Sequence, residues 1–133
     1  MASVRGLAEI VLMVRDVERS LSFYRDILGL RLISPSELRG AAFLQVGDAT
    51  DGVPQQVVLV QRPADSPEFP SQRAQRSLHH LGIELAPADF ESERKRLLGL
   101  GFEVRTGEHP FLPVQAFYLD DPDGNEVELV ARK

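Results

Sequence analysis

The chain of 133 residues contains no cysteine. It can form no disulfide framework and offers no thiolate nucleophile, which fits a reducing compartment, with the cytoplasm as the default. It also has no long apolar run. No window approaches the roughly 20 apolar residues a membrane helix needs, and no basic stretch followed by an apolar one opens the chain, so neither a membrane span nor a secretory leader is expected. Cations are in deficit, with 15 Lys and Arg against 20 Asp and Glu for a formal charge of -5. They are scattered among acids, so a phosphate backbone would find no continuous cationic surface and nucleic acid is not an expected partner. The ten Gly and nine Pro are dispersed as punctuation, not gathered into low-complexity tracts. One globular domain over residues 1–133 is expected.

What the chain does have is an internal repeat. Two halves align at an offset that drifts between 70 and 74 residues, predicting module 1 at about 5–62, a linker at about 63–77 and module 2 at about 78–133. Residues 9–14 (EIVLMV) match 80–85 (HLGIEL), both apolar with the period-two pattern of a strand. A helix follows each. In the first half Asp16 is a good N-cap, and Ser20, Phe23, Tyr24 and Ile27 recur at helical spacing before Gly29. In the second, Asp89 is the expected cap of a helix carrying Phe90, Leu97 and Leu98 and ending near Gly99 or Gly101. Beyond the helices 30–34 pairs with 102–106, 42–46 with 116–119, and 57–60 with 127–130. The pattern is β-α-β-β-β, twice. The fold class is therefore α+β, with two tandem βαβββ modules forming a curled mixed sheet around a cleft.

The repeat also says where to look for chemistry. The first strands of the two modules supply Glu9 and His80 at matching positions, and the last strands supply Val58 and Glu128. Alternation along a strand puts Glu9 with Val11 and Met13, and His80 with Gly82 and Glu84, on the faces away from the helices. His79 then points to the opposite side. An imidazole and a carboxylate are suitable ligands for Fe(II), Mn(II), Zn(II), Ni(II) or Co(II), and a third oxygen ligand from Glu9 would leave positions open for substrate.

These residues resemble the vicinal oxygen chelate superfamily, which embraces glyoxalase I, fosfomycin-resistance transferases, bleomycin-binding proteins, epimerases and extradiol dioxygenases. VRDVERSLSFYRDILGL (14–30) resembles its strand-to-helix signature, and DPDGNEVEL (121–129) its closing turn and metal-binding strand. The resemblance implies one divalent metal ion held by Glu9, His80 and Glu128, although Glu9 stands where a His or Gln is usual and Val58 where glyoxalases place a further ligand. Gly107-Glu108-His109, followed by Phe117-Tyr118, Asp121-Pro122, Gly124 and Glu128, resembles the signature of type I extradiol ring-cleaving dioxygenases. That implies Fe(II) and a catechol-like substrate. It makes His109 a catalytic acid or base, and Tyr118 a catalytic hydrogen-bonding residue beside Glu128. Two alternatives remain: a metal-assisted isomerase, epimerase or thiol transferase of the glyoxalase I or fosfomycin-resistance kind, and a metal-free drug-binding protein. Each takes a small molecule, and the resemblance implies a homodimer. Met13, Phe43, Phe111 and Phe117 are expected to line the cleft and set specificity.

Overall fold

The computed structural model describes residues 3–35, 40–48 and 52–133. The chain divides into two compact units, Met1–Pro67 and Glu68–Lys133, each built on a four-stranded mixed sheet. In the first unit β1 (Glu9–Val14) leads into α1 (Val17–Leu21), which widens into a π-helical segment at Ser22–Ile27. Then come β2 (Arg31–Leu32), β3 (Ala41–Gly47) and β4 (Gln55–Gln61), in sheet order β1-β4-β3-β2. β1 lies parallel to β4, and the other pairs are antiparallel. In the second unit β5 (Leu81–Glu84), α2 (Phe90–Gly99), β6 (Arg105–Glu108), β7 (Val114–Asp120) and β8 (Glu126–Arg132) repeat the plan, in order β5-β8-β7-β6 with β5 parallel to β8. This is the α+β double βαβββ arrangement that the repeat predicts.

Period-two burial governs both sheets. Leu12 and Val14 are buried with Leu21, Phe23, Tyr24, Leu44 and Leu59, whereas Glu9, Val11 and Met13 are exposed. In the second unit Leu81, Ile83, Val127, Leu129, Phe117 and Leu119 are buried together with Phe90 and Leu97 of α2. Phe117 is fully buried, with its ring 5.1 Å from that of Phe90. It faces the helix, not the cleft side. The reason is alternation: Phe117 and Tyr118 are adjacent, so only one of them can share a face with Glu128.

The helix ends differ between the units. Asp16 caps α1 as expected, its Oδ1 accepting the backbone N–H groups of Glu18 at 3.0 Å and Arg19 at 3.4 Å. Asp89 makes no side-chain cap, because a 3-10 turn at Pro87–Asp89 already winds the chain into α2. The strand expected at 102–106 starts later, at Arg105, since Gly101 adopts φ +94° and the N–H of Phe102 still donates to the Leu97 carbonyl. Among the described residues no helix is long and apolar enough to cross a membrane.

The turn between β7 and β8 fixes the last strand. Asp121, 5% exposed, accepts the N–H of Asp123 at 2.9 Å, that of Asn125 at 2.8 Å and the Asn125 side-chain amide at 3.0 Å. Gly124 takes the left-handed conformation this turn requires, at φ +82°. Asp121→Ala strips these donors of their acceptor and is expected to cost about 1–3 kcal/mol. Denaturant unfolding monitored by circular dichroism checks it, and an unchanged midpoint would contradict this role.

Candidate metal centre on the second sheet

One face of the second sheet carries a cluster of polar side chains. Register pairs Gly82 with Glu128, Glu128 with Tyr118, Tyr118 with Arg105, and Glu126 with Asp120, so these residues form a polar block on the side away from α2. Glu128 is 8% exposed. Its Oε2 accepts the Tyr118 hydroxyl at 2.6 Å, and its Oε1 lies 3.9 Å from His80 Nε2. The His80 ring stands edge-on to Tyr118 at 5.8 Å between centroids.

Two glycines make room for this pair. A Cβ on Gly107 would collide with the Tyr118 ring, and one on Gly82 would sit 2.9 Å from Glu128 Oε1. The hydrogen bond to Glu128 and, after it, desolvation push the Tyr118 phenol up to about 12.

His79 does not point to the opposite side as alternation predicts. Its Nδ1 lies 2.7 Å from His80 Nδ1, so one imidazole donates to the other. The physical reason is that β5 begins only at Leu81, and residues 79 and 80 precede the regular pleat. Glu126 joins them: one ligand atom each from His79, His80 and Glu126 falls within 4.8 Å of the others, a group that could hold a metal. Sequence pattern gave no sign of Glu126 in this role beyond its place two residues before Glu128.

The Glu126 carboxylate is already engaged. Arg105 reaches its Oε2 at 3.0 Å and Asp120 Oδ1 at 2.7 Å, while Arg73 also reaches Asp120 at 2.7 Å and approaches Glu126 at 3.8 Å. Desolvation opposes ionisation of Asp120, but the hydrogen bonds from Arg73 and Arg105 prevail and hold it below its ordinary value. Arg73 comes from a short 3-10 turn, Arg73–Gln75, in the segment expected to be a linker.

The remaining candidates lie on other elements. His109 follows β6, and its Nδ1 accepts the backbone N–H groups of Phe111 at 3.2 Å and Leu112 at 2.9 Å. A neutral His109 therefore carries its proton on Nε2. With Glu84 and Glu128 it lines a slot of about 290 Å³. Glu9 lies exposed at the head of β1 in the first unit, paired in register with Gln56. Of the residues expected to line a cleft, Met13 and Phe111 are exposed and Phe43 is half-buried.

Two βαβββ units and a His and Glu facing each other across a parallel strand pair define a class of protein. The model of the Glyoxalase/Bleomycin resistance protein/Dioxygenase superfamily matches residues 6–129, and the chain belongs to this superfamily. Its relatives diverge in activity. Catechol-2,3-dioxygenase of Bacillus subtilis is 28% identical over 121 residues, 90% of this chain, which spans only 39% of that protein. Lactoylglutathione lyase of Neisseria meningitidis is 26% identical over 131 residues, covering 96% of this chain and 91% of the relative. The crystal structure of a glyoxalase/dioxygenase from Nostoc punctiforme superposes with a TM-score of 0.74 at 24% identity, over 98% of this chain and 93% of that one.

The Tyr118 phenol gives the site a spectroscopic handle. Its value of about 12 lies above the ordinary value of about 10, so its stabilising contribution is complete below pH 10 and is lost as pH rises toward 12. Alkaline titration of phenolate absorbance, taken as the difference between wild type and Tyr118→Phe, is expected to show that high midpoint. Glu128→Gln should bring it back toward about 10. An unshifted midpoint in Glu128→Gln would show that the carboxylate is not its cause.

Proposed function

We propose that this chain is a metal-dependent enzyme acting on a small molecule, that His80 and Glu128 hold the metal, and that the reaction is extradiol-type cleavage of a catechol-like ring. The observation that carries the reading is the 3.9 Å between His80 Nε2 and Glu128 Oε1. That span is too long for a hydrogen bond and lies within the about 4.2 Å that two ligand atoms each about 2.1 Å from one cation can span. A proton on His80 Nδ1, donated to His79, leaves Nε2 bare as a ligand, the usual support for a metal-binding imidazole. Glu126 is the weaker ligand because Arg105 already neutralises it.

A divalent ion bound there supplies Lewis acidity, and Fe(II) adds the electron chemistry that dioxygen requires. Around it this chain's own residues have distinct tasks. Tyr118 stays a donor at neutral pH and orients Glu128 through Oε2. His109, tethered through Nδ1, exchanges a proton at Nε2 beside the slot. A second reading, metal-assisted proton transfer of the glyoxalase kind, is supported by the lactoylglutathione lyase match, which covers nearly all of both chains. Mn, Ni, Zn or Co would serve it.

The test is metal content after anaerobic reconstitution with Fe(II), Mn(II), Ni(II) and Zn(II) in turn. Wild type is expected to bind one equivalent, His80→Ala and Glu128→Gln to lose it, and Glu126→Gln to keep it. His79→Ala should weaken affinity by about 10–100-fold. Loss of metal in Glu9→Ala would assign Glu9 as the third ligand. Oxygen uptake with catechols then separates ring cleavage from proton exchange with methylglyoxal hemithioacetal. No metal under any condition would overturn both readings and leave a binding protein. The homodimer belongs to this proposal and is checked by sedimentation velocity.

A further inference from the structure

The slot beside Glu128 carries two opposite charges that are not spent on each other. Along β8 the side chains of Glu128, Val130 and Arg132 share a face, and register sets Glu84 of β5 beside Val130 and Val114 of β7 beside Arg132. Glu84, Arg132, Val114 and Val130 all line the slot. Glu84 and Arg132 are therefore diagonal neighbours flanking one valine, about 7 Å apart at the backbone. Neither has an ion-pair partner among the described residues, although every carboxylate of the Arg73–Asp120–Arg105–Glu126 group on the same sheet is paired. Both side chains are exposed, where closing an ion pair gains little, so each charge remains available to a ligand. Val130 lies between them, and Glu84 stands diagonally to Glu128 as it does to Arg132.

We infer that Glu84 and Arg132 form a subsite for a zwitterionic α-amino carboxylate group, with the ammonium on Glu84 and the carboxylate on Arg132. The ligand class is a small molecule bearing oxygen donors at one end and an amino-acid head at the other. The inference rests on the proposed function for its first end, since Glu128 marks where the oxygen donors go, but the head group is read from Glu84 and Arg132 alone. Guanidinium pairs with carboxylate through two parallel hydrogen bonds, and each charge compensates the desolvation of the other. A ligand with only one of the two charges would leave the other subsite residue unmatched.

Isothermal titration calorimetry tests this with four probes: 3,4-dihydroxyphenylalanine, its deamino acid 3,4-dihydroxyphenylpropionate, its decarboxy amine 3,4-dihydroxyphenethylamine, and 4-methylcatechol. Each is titrated into Zn(II)-loaded and metal-free protein, so that no turnover intervenes. The amino acid is expected to bind about tenfold tighter than either singly charged analogue. In Glu84→Gln it should fall to the level of the deamino acid, in Arg132→Gln to that of the amine, and Arg132→Lys should recover part of the loss. Affinities within about twofold of one another, a preference unchanged in both variants, or no binding of the amino acid at all would overturn the inference. An amino-acid preference with overall affinities unchanged by Zn(II) would support the subsite while counting against the metal reading. Zinc bound through His80 and Glu128 with no amino-acid preference would remove the subsite alone.

Discussion

The register of β8 is the constraint on which the rest of the second unit depends. Glu126, Glu128, Val130 and Arg132 face one side of the sheet, while Val127, Leu129 and Ala131 are buried on the other against α2. A slip of one residue would exchange the two sets, driving two carboxylates and a guanidinium into the apolar layer and exposing the core. The cost of that exchange is paid by hydrophobic packing, so the core enforces the geometry of the site. Asp121 supplies the local half of the same control. By gathering the N–H groups of Asp123 and Asn125 it decides where β7 stops and β8 begins, and so which residue of β8 meets Tyr118.

The polar end of this sheet face at Asp120 and Glu126 is tolerated because the charges there are matched. Arg105 spans Asp120 and Glu126, and Arg73 adds a second guanidinium from the segment before β5. The segment 73–80 thus ties itself to β7 and β8 at the same place where it delivers His79 and His80. Glu128 is treated differently. It receives a neutral hydroxyl instead of a cation, which satisfies one oxygen and leaves its negative charge available to a ligand. Asp120 and Glu126 are thus neutralised by guanidinium groups, while Glu128 between them and the histidines is held by a hydroxyl.

Much of this was legible in the sequence. The βαβββ element order follows from the repeat and the facing of Glu9, Val11 and Met13 from period-two alternation, and β1 spans the residues that the pattern predicts. The convergence of Gly82, Tyr118 and Glu128 on one face needs only alternation plus the pairing of β5 and β7 with β8. Other features have no local signal. His79 escapes alternation because it precedes the strand, Arg73 acts from a segment without hydrophobic periodicity, and the widening of α1 into a π-helical segment at Ser22 follows from no periodicity in the residues around it. Phe117 was legible but misassigned, since its neighbour Tyr118 already held the cleft-side position.

The two units, compared position by position, differ at the place of the Tyr118–Glu128 pair. Tyr118 pairs with Glu128 in the second unit, and Phe43 pairs with Val58 at the equivalent place in the first. Gly82 lies beside Glu128, and Val11 beside Val58. The three changes belong together. Val58 is 2% exposed, so a carboxylate there would be desolvated, and Phe43 has no hydroxyl to offer it. Val11 would also occupy the space that Gly82 leaves open to Glu128 Oε1. Hydroxyl, carboxylate and open space are present as a set in one repeat and replaced as a set by apolar side chains in the other. Each member suits the company of the rest, so the second unit carries the hydroxyl–carboxylate pair and the first an apolar set at the equivalent place.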